Sequence, residues 1–261
     1  MNRLTTALST NRARKKKALA LFLTAGYPEA DSTPALVRAL EGAGADIIEI
    51  GMPFSDPLAD GPVIQESSTI ALKNGVTIPG ILDAVRSIRR TSEVPLVLMG
   101  YINPILSYGA GRFFRDAAAA GVDGMVLPEL TLEESAMFKH EIAMSGLSQI
   151  LLVAPTTPDD RVMAIDAAST GFLYCVSTTG VTGSARKGAP DEYLSRVRRC
   201  ARTNPLLVGF GISTADAARH AAELSDGVII GSALIQRLAH GESVESVAAW
   251  VGSIREALPA A

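Results

Sequence analysis

The sequence predicts an α/β protein folded as a (β/α)8 TIM barrel, with a short extra helix at its amino terminus. Eight short apolar segments alternate with segments of helical periodicity along the 261 residues, which is typical of a parallel sheet covered by helices. No change in composition marks a linker, and about 250 residues is the usual size of this barrel. A doubly wound open sheet usually has one glycine-rich turn after its first strand, whereas the glycine-rich turns here come late. We therefore expect a single barrel domain over residues 1–261.

The expected strands and helices alternate, with two helical segments between the second and the third strand. A helix over 2–11 precedes the first strand, and its apolar residues Leu4, Ala7 and Leu8 could close one end of the barrel. The expected strands are 19–24, 47–50, 95–99, 124–127, 149–153, 172–176, 206–208 and 227–230. Apolar residues recur at helical spacing between them. The expected helices are 32–43, 63–73, 78–90, 111–120, 132–145, 159–168, 191–202 and 214–224, with helical segments from the last strand to residue 258.

The composition is that of an ordinary globular protein, with 48% hydrophobic and 20% charged residues. The net charge of -3 gives no electrostatic footprint for nucleic acid. The one basic run, 12–17, is interpreted as a solvated loop. No apolar stretch has the length of a membrane span and no signal-peptide pattern occurs, so we expect a cytoplasmic protein. Cys175 and Cys200 are too few, and too embedded in apolar or helical patterns, to indicate a disulfide framework.

The segment 46–62, which reads DIIEIGMPFSDPLADGP, carries two carboxylates of interest. Glu49 interrupts an apolar strand close to its end, and charged groups are rarely buried without a partner or a function. Asp60 follows eleven residues later, on a loop rich in proline. At the mouth of a barrel the two could form an acid–base pair, with Glu49 desolvated and Asp60 wetter and ionised. The alternative is a structural ion pair for Glu49 and a solvated turn for the loop.

Glycine-rich turns follow the sixth, seventh and eighth expected strands. They read GVTG at 180–183, GFGI at 209–212 and GS at 231–232. Loops after the last two strands, with a short extra helix, form the recurrent phosphate site of this fold. Glycine lets the backbone approach an anion, and a helix that begins near Ser232 would present free N–H groups. One such turn is weak evidence, but three at neighbouring strand ends predict phosphate binding by backbone amides and Ser232.

Other common chemistries find little support in the sequence. His140, His220 and His240 fall within or at the ends of helical segments, without partners at metal-ligand spacing, so no metal site is expected. No lysine falls inside an expected strand, which argues against a Schiff-base aldolase. No serine or cysteine stands in a nucleophile-elbow context. A phosphorylated substrate, two carboxylates and an apolar pocket together indicate metal-free proton transfer.

Several motifs resemble those of the tryptophan synthase alpha chain family, and the likeness runs through nearly the whole chain. The most specific is EIGMPFSDP at 49–57, continuing to ADGP at 59–62. Five more match in order and spacing: TAGYP at 24–28, YINP at 101–104, GVTG at 180–183, GFGIS at 209–213 and GSA at 231–233.

The resemblance implies cleavage of indole-3-glycerol phosphate to indole and glyceraldehyde 3-phosphate in tryptophan biosynthesis, with no cofactor in this chain. It implies that Glu49 is the general acid/base, which protonates C3 of the indole and takes the proton of the adjacent glycerol hydroxyl. Asp60 would accept the indole N–H, and Tyr174 corresponds to a pocket tyrosine. The resemblance further implies an indole slot of Phe22, Val126, Val153 and Phe210, and a phosphate site of Gly183, Gly211, Gly231 and Ser232.

The resemblance also implies a partner. A tryptophan synthase β chain, which carries pyridoxal phosphate, would receive indole through a tunnel within an α2β2 heterotetramer. The loop 53–62 and the segment around Asn103 and Pro104 would form part of the contact. Two departures from the family pattern matter. Thr178 stands where some members have an arginine, which puts that residue's closing role in doubt, and Pro128 and Glu129 replace a small residue and an aspartate.

Other functions stay open on the sequence alone. The chain could be another phosphate-binding barrel lyase or isomerase, although a neighbouring enzyme of tryptophan synthesis would be expected to carry a lysine on a strand. It could be a catalytically weak subunit that only activates a partner, but that would predict loss of Glu49 or Asp60, and both are present. A non-enzymatic indole binder would leave the phosphate site without a purpose.

Overall fold

Eight parallel strands form a closed barrel in which each strand pairs with the next and β8 pairs with β1. A computed structural model describes residues 2–176, 191–209 and 211–260. The strands are β1 (Ala18–Thr24), β2 (Ile47–Gly51), β3 (Leu96–Met99), β4 (Gly124–Val126), β5 (Ser148–Val153), β6 (Leu173–Val176), β7 (Leu206–Gly209) and β8 (Gly227–Ile230). The barrel predicted from the sequence is confirmed.

Helices cover the outside of the barrel, and α1 (Arg3–Ala13) precedes β1 as expected. None of the helices in the described ranges is long and apolar enough to cross a membrane. The others are α2 (Ser32–Gly42), α3 (Pro62–Lys73), α4 (Ile78–Arg89), α5 (Ile102–Tyr108), α6 (Ala110–Ala120), α7 (Leu132–Ser135), α8 (Lys139–Met144), α9 (Asp159–Ala168), α10 (Asp191–Cys200), α11 (Ala215–Glu223), α12 (Ser232–Ala239) and α13 (Val244–Ala257).

Two helical regions differ from the sequence-based expectation. Residues 102–108 form α5, where no helix was expected, and Gly109 separates it from α6 by adopting a φ of 95° that favours glycine. The helix expected over 132–145 is interrupted by a 3₁₀ turn, Ala136–Phe138. Beside that turn the hydroxyl of Ser135 donates to the carbonyl of Leu132, and such a local bond competes with the regular helical pattern.

The strand register decides which side chains point into the barrel, because partners in a parallel pair share a face and successive residues alternate between faces. Glu49 on β2 is paired with Phe22 on β1 and with Val97 on β3. These three side chains therefore share one layer of the interior. Tyr174 on β6 pairs with Leu152 on β5 and belongs to the same inward-facing set.

Three aspartates hold the amino-terminal ends of the strands together. Asp46, Asp123 and Asp226 stand immediately before β2, β4 and β8. Each carboxylate accepts a hydrogen bond from a backbone N–H at the start of the preceding strand, and each pairs with an arginine from a helix. The bonds are Leu19 N–Asp46 at 2.9 Å, Leu96 N–Asp123 at 2.9 Å and Leu206 N–Asp226 at 2.8 Å, and the arginines are Arg255, Arg89 and Arg198, each at 2.7 Å.

The basic run at 12–17 is only partly solvated, so its interpretation as a solvated loop is wrong at its end. Arg14 and Lys15 are exposed, but Lys17 is buried and its Nζ donates to the carbonyl of Ser225 at 2.7 Å. Burial lowers the pKa of Lys17. This contact ties the start of β1 to the residues before β8, which helps to close the ring.

Candidate active site

Glu49 lies inside the barrel near the carboxyl end of β2 and is 0% exposed to solvent. Its neighbours in the register are the apolar side chains of Phe22 and Val97. Neither oxygen of its carboxyl group has a hydrogen-bond partner among the residues that the structure describes. Burial raises the pKa of Glu49 from 4.5 to about 8, because a charged carboxylate loses its hydration there. The side chain is therefore mostly protonated at neutral pH, and no ion pair within residues 2–176, 191–209 and 211–260 supports the structural alternative.

Asp60 is held by Tyr101 on the loop that joins β2 to α3. The hydroxyl of Tyr101 donates to Oδ2 of Asp60 at 3.1 Å and accepts the backbone N–H of Ala59 at 3.0 Å. Burial raises the pKa of Asp60 to about 6, the bond from Tyr101 lowers it, and the negative charge of Glu129 raises it. Asp60 is thus less desolvated than Glu49 and mostly ionised at neutral pH, as the sequence suggested, but its pKa is above the ordinary value.

Tyr174 lies within electrostatic reach of both carboxyl groups. Its pKa is raised well above the ordinary value, first by burial and then by the negative charges of Glu49 and Asp60. The phenol is therefore protonated throughout the physiological range. Tyr174 on β6 therefore interacts with both the strand-held acid and the loop-held acid.

Glycines at the strand ends make room for two of these aromatic rings. A Cβ added at Gly51 would stand 2.4 Å from Cζ of Phe22, and one added at Gly209 would stand 2.7 Å from the hydroxyl oxygen of Tyr174. A Cβ added at Gly231 would stand 3.2 Å from Cβ of Phe22. The sequence predicted that the glycine-rich turns after β7 and β8 bind an anion. Two of these glycines, Gly209 and Gly231, also leave room for the side chains of Tyr174 and Phe22.

A cavity at the barrel mouth combines apolar walls with polar groups. Asp60 and Tyr101 supply a carboxylate and a hydroxyl. The remaining lining is mainly apolar or glycine: Phe22, Gly51, Met52, Ile64, Ser68, Met99, Gly100 and Pro128. The cavity has a volume of about 20 Å³, and its lining is of the kind that contacts the apolar atoms of a ligand while a few polar groups orient it.

The register distinguishes between two of the predicted wall residues. Val126 pairs with Met99, which lines the cavity, so Val126 shares that inward face. Val153 pairs with Cys175, the residue after Tyr174, and so points to the opposite face of its strand. The geometry therefore does not support Val153 as a wall, whereas Leu152 shares the inward face of Tyr174. Successive residues of β5 alternate between its two faces, and this alternation distinguishes Leu152 from Val153.

The predicted phosphate site is only partly covered by the described residues. Ser232 is the first residue of α12, and Gly231 precedes it as the N-cap. The carbonyl of Gly231 accepts the N–H groups of Leu234 and Ile235, so the N–H groups of residues 232 and 233 precede the first intrahelical bonds. Gly211 has a φ of 78°, which favours glycine. Gly183, Phe210 and Thr178 lie outside the described residues.

The described residues of this site do not include a cluster of side chains that could bind a metal ion. Within the described ranges, no three His, Cys, Asp or Glu side chains lie together as a metal centre would require. His140, His220 and His240 are exposed, and Nε2 of His220 lies 2.8 Å from a carboxylate oxygen of Asp191.

Tyr101 belongs to the YINP motif, but the sequence predicted no role for this residue. It stands two residues after β3, as Pro53 does after β2, and so reaches the barrel mouth. A tyrosine two residues after a barrel strand was the sequence feature that could have indicated a residue of the site.

Comparisons with known proteins agree with this geometry. A family model for the tryptophan synthase alpha chain matches residues 8–257. The tryptophan synthase alpha chain of Geobacter sulfurreducens is 47% identical over 263 residues, covering 99% of each chain. That of Chloroflexus aggregans is 46% identical over 264 residues, covering 100% of this chain and 98% of the relative.

Solved structures give the same result. Tryptophan synthase subunit alpha from Legionella pneumophila superposes with a TM-score of 0.90 at 37% identity, covering 99% of this chain and 98% of that one. A chain of Mycobacterium tuberculosis tryptophan synthase superposes with a TM-score of 0.91 at 37% identity, covering 98% of each chain. The barrel, the carboxylates at its mouth and these matches lead to one conclusion: the chain belongs to the tryptophan synthase alpha chain family.

Proposed function

We propose that this chain is a lyase that cleaves indole-3-glycerol phosphate into indole and glyceraldehyde 3-phosphate. Family membership supports a lyase role in tryptophan synthesis. The observation that carries the specific reaction is the contrast between two neighbouring acids. Glu49 has a pKa of about 8 and Asp60 a pKa of about 6, so at neutral pH one can donate a proton while the other is negatively charged.

In the proposed reaction the protonated carboxyl of Glu49 donates its proton to C3 of the indole. The bond between C3 and the glycerol chain then breaks, and its electron pair returns to the ring. The glycerol hydroxyl on the departing carbon loses its proton to the Glu49 carboxylate and becomes the aldehyde, which restores the protonated acid. No electron acceptor is needed, because the step is a retro-aldol cleavage.

Asp60 stabilises the charge that develops during this step. Protonation at C3 makes the indole ring cationic, and an ionised carboxylate that accepts the ring N–H lowers the energy of that cation. Tyr174 stays protonated and can donate its hydroxyl hydrogen near the reacting carbon. Phe22, Val126 and Leu152 supply apolar walls for the ring, with Phe210 as a further wall in this proposal.

The phosphate of the substrate binds, in this proposal, at the turns after β6, β7 and β8. Ser232 and the N–H groups at the start of α12 act with Gly211 and Gly231, and Gly183 completes the site. The eight-residue helix α12 favours an anion at its amino terminus.

We further infer that the chain works with a tryptophan synthase β chain in an α2β2 heterotetramer, and that pyridoxal phosphate belongs to the β chain. Leu58 and Leu106 are 80% and 52% exposed on segments near the barrel mouth. A cavity of about 230 Å³ is lined in part by Phe54, from the loop that carries Leu58, and by Pro104, from the helix α5 that carries Leu106. Exposed apolar side chains around such a cavity are typical of a protein interface. A cytoplasmic location and a single domain fit this role.

The test is the release of indole from indole-3-glycerol phosphate by the purified chain, alone and with a tryptophan synthase β chain. We expect slow release alone and much faster release with the β chain. The control is the Glu49→Gln/Asp60→Asn double variant, which should give only background in both assays. If the folded chain releases no indole under either condition, the proposed reaction is wrong. If the chain stimulates the β chain but releases no indole, we conclude that it is an activating subunit and not a lyase.

A further inference from the structure

The hydroxyl group of Tyr101 joins the Asp60 carboxylate to the backbone of the loop that carries it. It donates its single hydrogen to Oδ2 of Asp60 and accepts the N–H of Ala59, at 3.1 and 3.0 Å. One hydroxyl therefore binds two successive residues of the loop and uses both its donor and an acceptor site. The loop itself contributes a further local bond, from the N–H of Asp60 to the carbonyl of Pro57 at 3.1 Å.

Tyr101 is itself firmly anchored. It is 6% exposed, stands two residues after the strand β3 and directly precedes α5. Its ring lies 5.4 Å from the ring of Phe54 on the same loop as Asp60. The next backbone N–H, that of Ile102, donates to the carboxylate of Glu129 at 2.5 Å. The phenol is thus attached to the barrel wall, whereas Asp60 is attached to a loop.

We propose that Tyr101 is a positioning residue, which aims the Asp60 carboxylate into the cavity by fixing residues 59 and 60 through its hydroxyl. The inference rests on the proposed function, in which Asp60 stabilises a cationic indole. A carboxylate on a loop rich in proline and glycine has several orientations of similar energy, and a bond to a buried phenol selects one of them. Preorganisation of this kind is what makes electrostatic stabilisation effective in an active site.

The same bond acts on the charge of Asp60. A hydroxyl that donates to a carboxylate stabilises the ionised form and lowers its pKa. The other titratable groups that face Asp60 are Glu129 after β4, whose charge raises the pKa of Asp60, and Tyr174 on β6, which feels both Asp60 and Glu49. Among these groups Tyr101 is the one whose hydrogen bond opposes the effect of burial.

The test compares Tyr101→Phe with Tyr108→Phe. The control removes a bond of the same kind, because the hydroxyl of Tyr108 donates to Oδ2 of Asp116 at 2.7 Å, between α5 and α6 and on the outside of the barrel. The first readout is the pKa of Asp60, measured by carbon-13 NMR of labelled aspartate carboxyl groups and assigned with Asp60→Asn. We expect this pKa to rise by about one pH unit in Tyr101→Phe and to stay unchanged in Tyr108→Phe.

The second readout is the indole-release assay. In Tyr101→Phe we expect kcat to fall roughly tenfold at pH 6 and its acidic limb to move to higher pH, with unchanged affinity for glycerol 3-phosphate. Adding Tyr101→Phe to the Asp60→Asn variant should not lower kcat further, because the phenol acts through Asp60. If Tyr101 had only a structural role, Tyr101→Phe would lower kcat by the same factor in the parent chain and in the Asp60→Asn variant. The acidic limb of the pH profile would then stay in place.

An unchanged Asp60 pKa in folded Tyr101→Phe, or a full additional loss in the Asp60→Asn background, would overturn the proposal. Circular dichroism of both phenylalanine variants establishes that they are folded. The NMR titration requires no turnover, so it separates two failures. If the pKa moves but the parent chain itself releases no indole, the positioning by Tyr101 stands and the proposed reaction falls.

Discussion

Phe22 on β1 is the register partner of Glu49 on β2, and the ring of Phe22 fills the space that a side chain at position 51 would occupy. On the other side Glu49 is paired with Val97. An apolar residue on each side keeps water away from the carboxyl group, which raises its pKa to about 8. Two adjacent strands thus convert an ordinary glutamate into an acid that is still protonated at neutral pH.

We expect kcat/KM for indole-3-glycerol phosphate to have a bell-shaped pH dependence. Asp60 must be ionised to stabilise the cation, so the rate falls as the pH drops through about 6. Glu49 must be protonated to donate its proton, so the rate falls as the pH rises through about 8. Steady-state kinetics from pH 5 to 9.5 measure both limbs, and Glu256→Gln on the exposed face of α13 is the control. A profile without an alkaline limb would contradict the role of Glu49 as the acid.

Glu49→Gln should lower turnover by about a hundredfold or more, because an amide cannot shuttle the proton. The amide is close in size to the carboxyl group, so the affinity for glycerol 3-phosphate should stay within about twofold. Indole release and calorimetry measure the two quantities separately. Near-normal turnover in the purified variant would show that Glu49 is not the acid/base, whereas loss of binding alone would indicate a structural role.

The same variant should change how stability depends on pH. The folded-state pKa of Glu49 is raised from 4.5 to about 8, so its contribution to stability is full below about 4.5 and is lost as the pH rises toward 8. Glutamine does not titrate. The unfolding free energy of Glu49→Gln relative to the parent should therefore rise between pH 5 and 8, by on the order of 3 kcal/mol. Urea unfolding at both pH values measures this difference, and a constant difference would mean that Glu49 is ionised in the folded chain.

Ser232→Asp should weaken the binding of glycerol 3-phosphate by about tenfold or more. The new carboxylate at the first position of α12 would repel the phosphate and occupy the N–H groups that would bind it. Ser253→Asp on the exposed surface of α13 introduces the same charge elsewhere. Calorimetry on both variants is the measurement. Equal affinities would rule out a phosphate at the start of α12.

Asp123→Asn should destabilise the barrel by about 3 kcal/mol. Asp123 and Arg89 are 2% and 9% exposed, so removing one charge leaves the other buried and unpaired, and the bond to the N–H of Leu96 is weakened as well. The control is Asp83→Asn, which removes an exposed ion pair with Arg86 and should change stability by about 0.5 kcal/mol or less. Urea unfolding compares the two. Equal effects would show that the ion pairs at the amino ends of the strands add little.

Local patterns in the sequence were sufficient to predict the barrel, because a buried parallel strand is read from a short apolar run and its flanking turns. The same patterns could not predict α5, since its seven residues contain a proline and its first three residues belong to the YINP motif. Nor could they predict the bonds of Asp46, Asp123 and Asp226, which depend on contacts between strands that are far apart in sequence.

The candidate site was predictable to the extent that it depends on residue type. A glutamate inside an apolar strand is conspicuous, and Glu49 is buried as expected. The choice between Leu152 and Val153 depends on the register, which a run of consecutive apolar residues leaves undetermined. The contact of Tyr101 with Asp60 joins residues 41 positions apart, so only the folded chain brings it out.

The pairing of β8 with β1 has a consequence for synthesis of the protein. The barrel closes when Gly227–Ile230 reaches the edge of β1, and Arg255 on the last helix then binds both Asp46 and the carbonyl of Lys17. On the ribosome, β1 therefore keeps an unpaired edge until residues 227–230 have been translated. During that interval the nascent chain exposes an apolar strand edge, which is a template for aggregation and a natural binding site for chaperones.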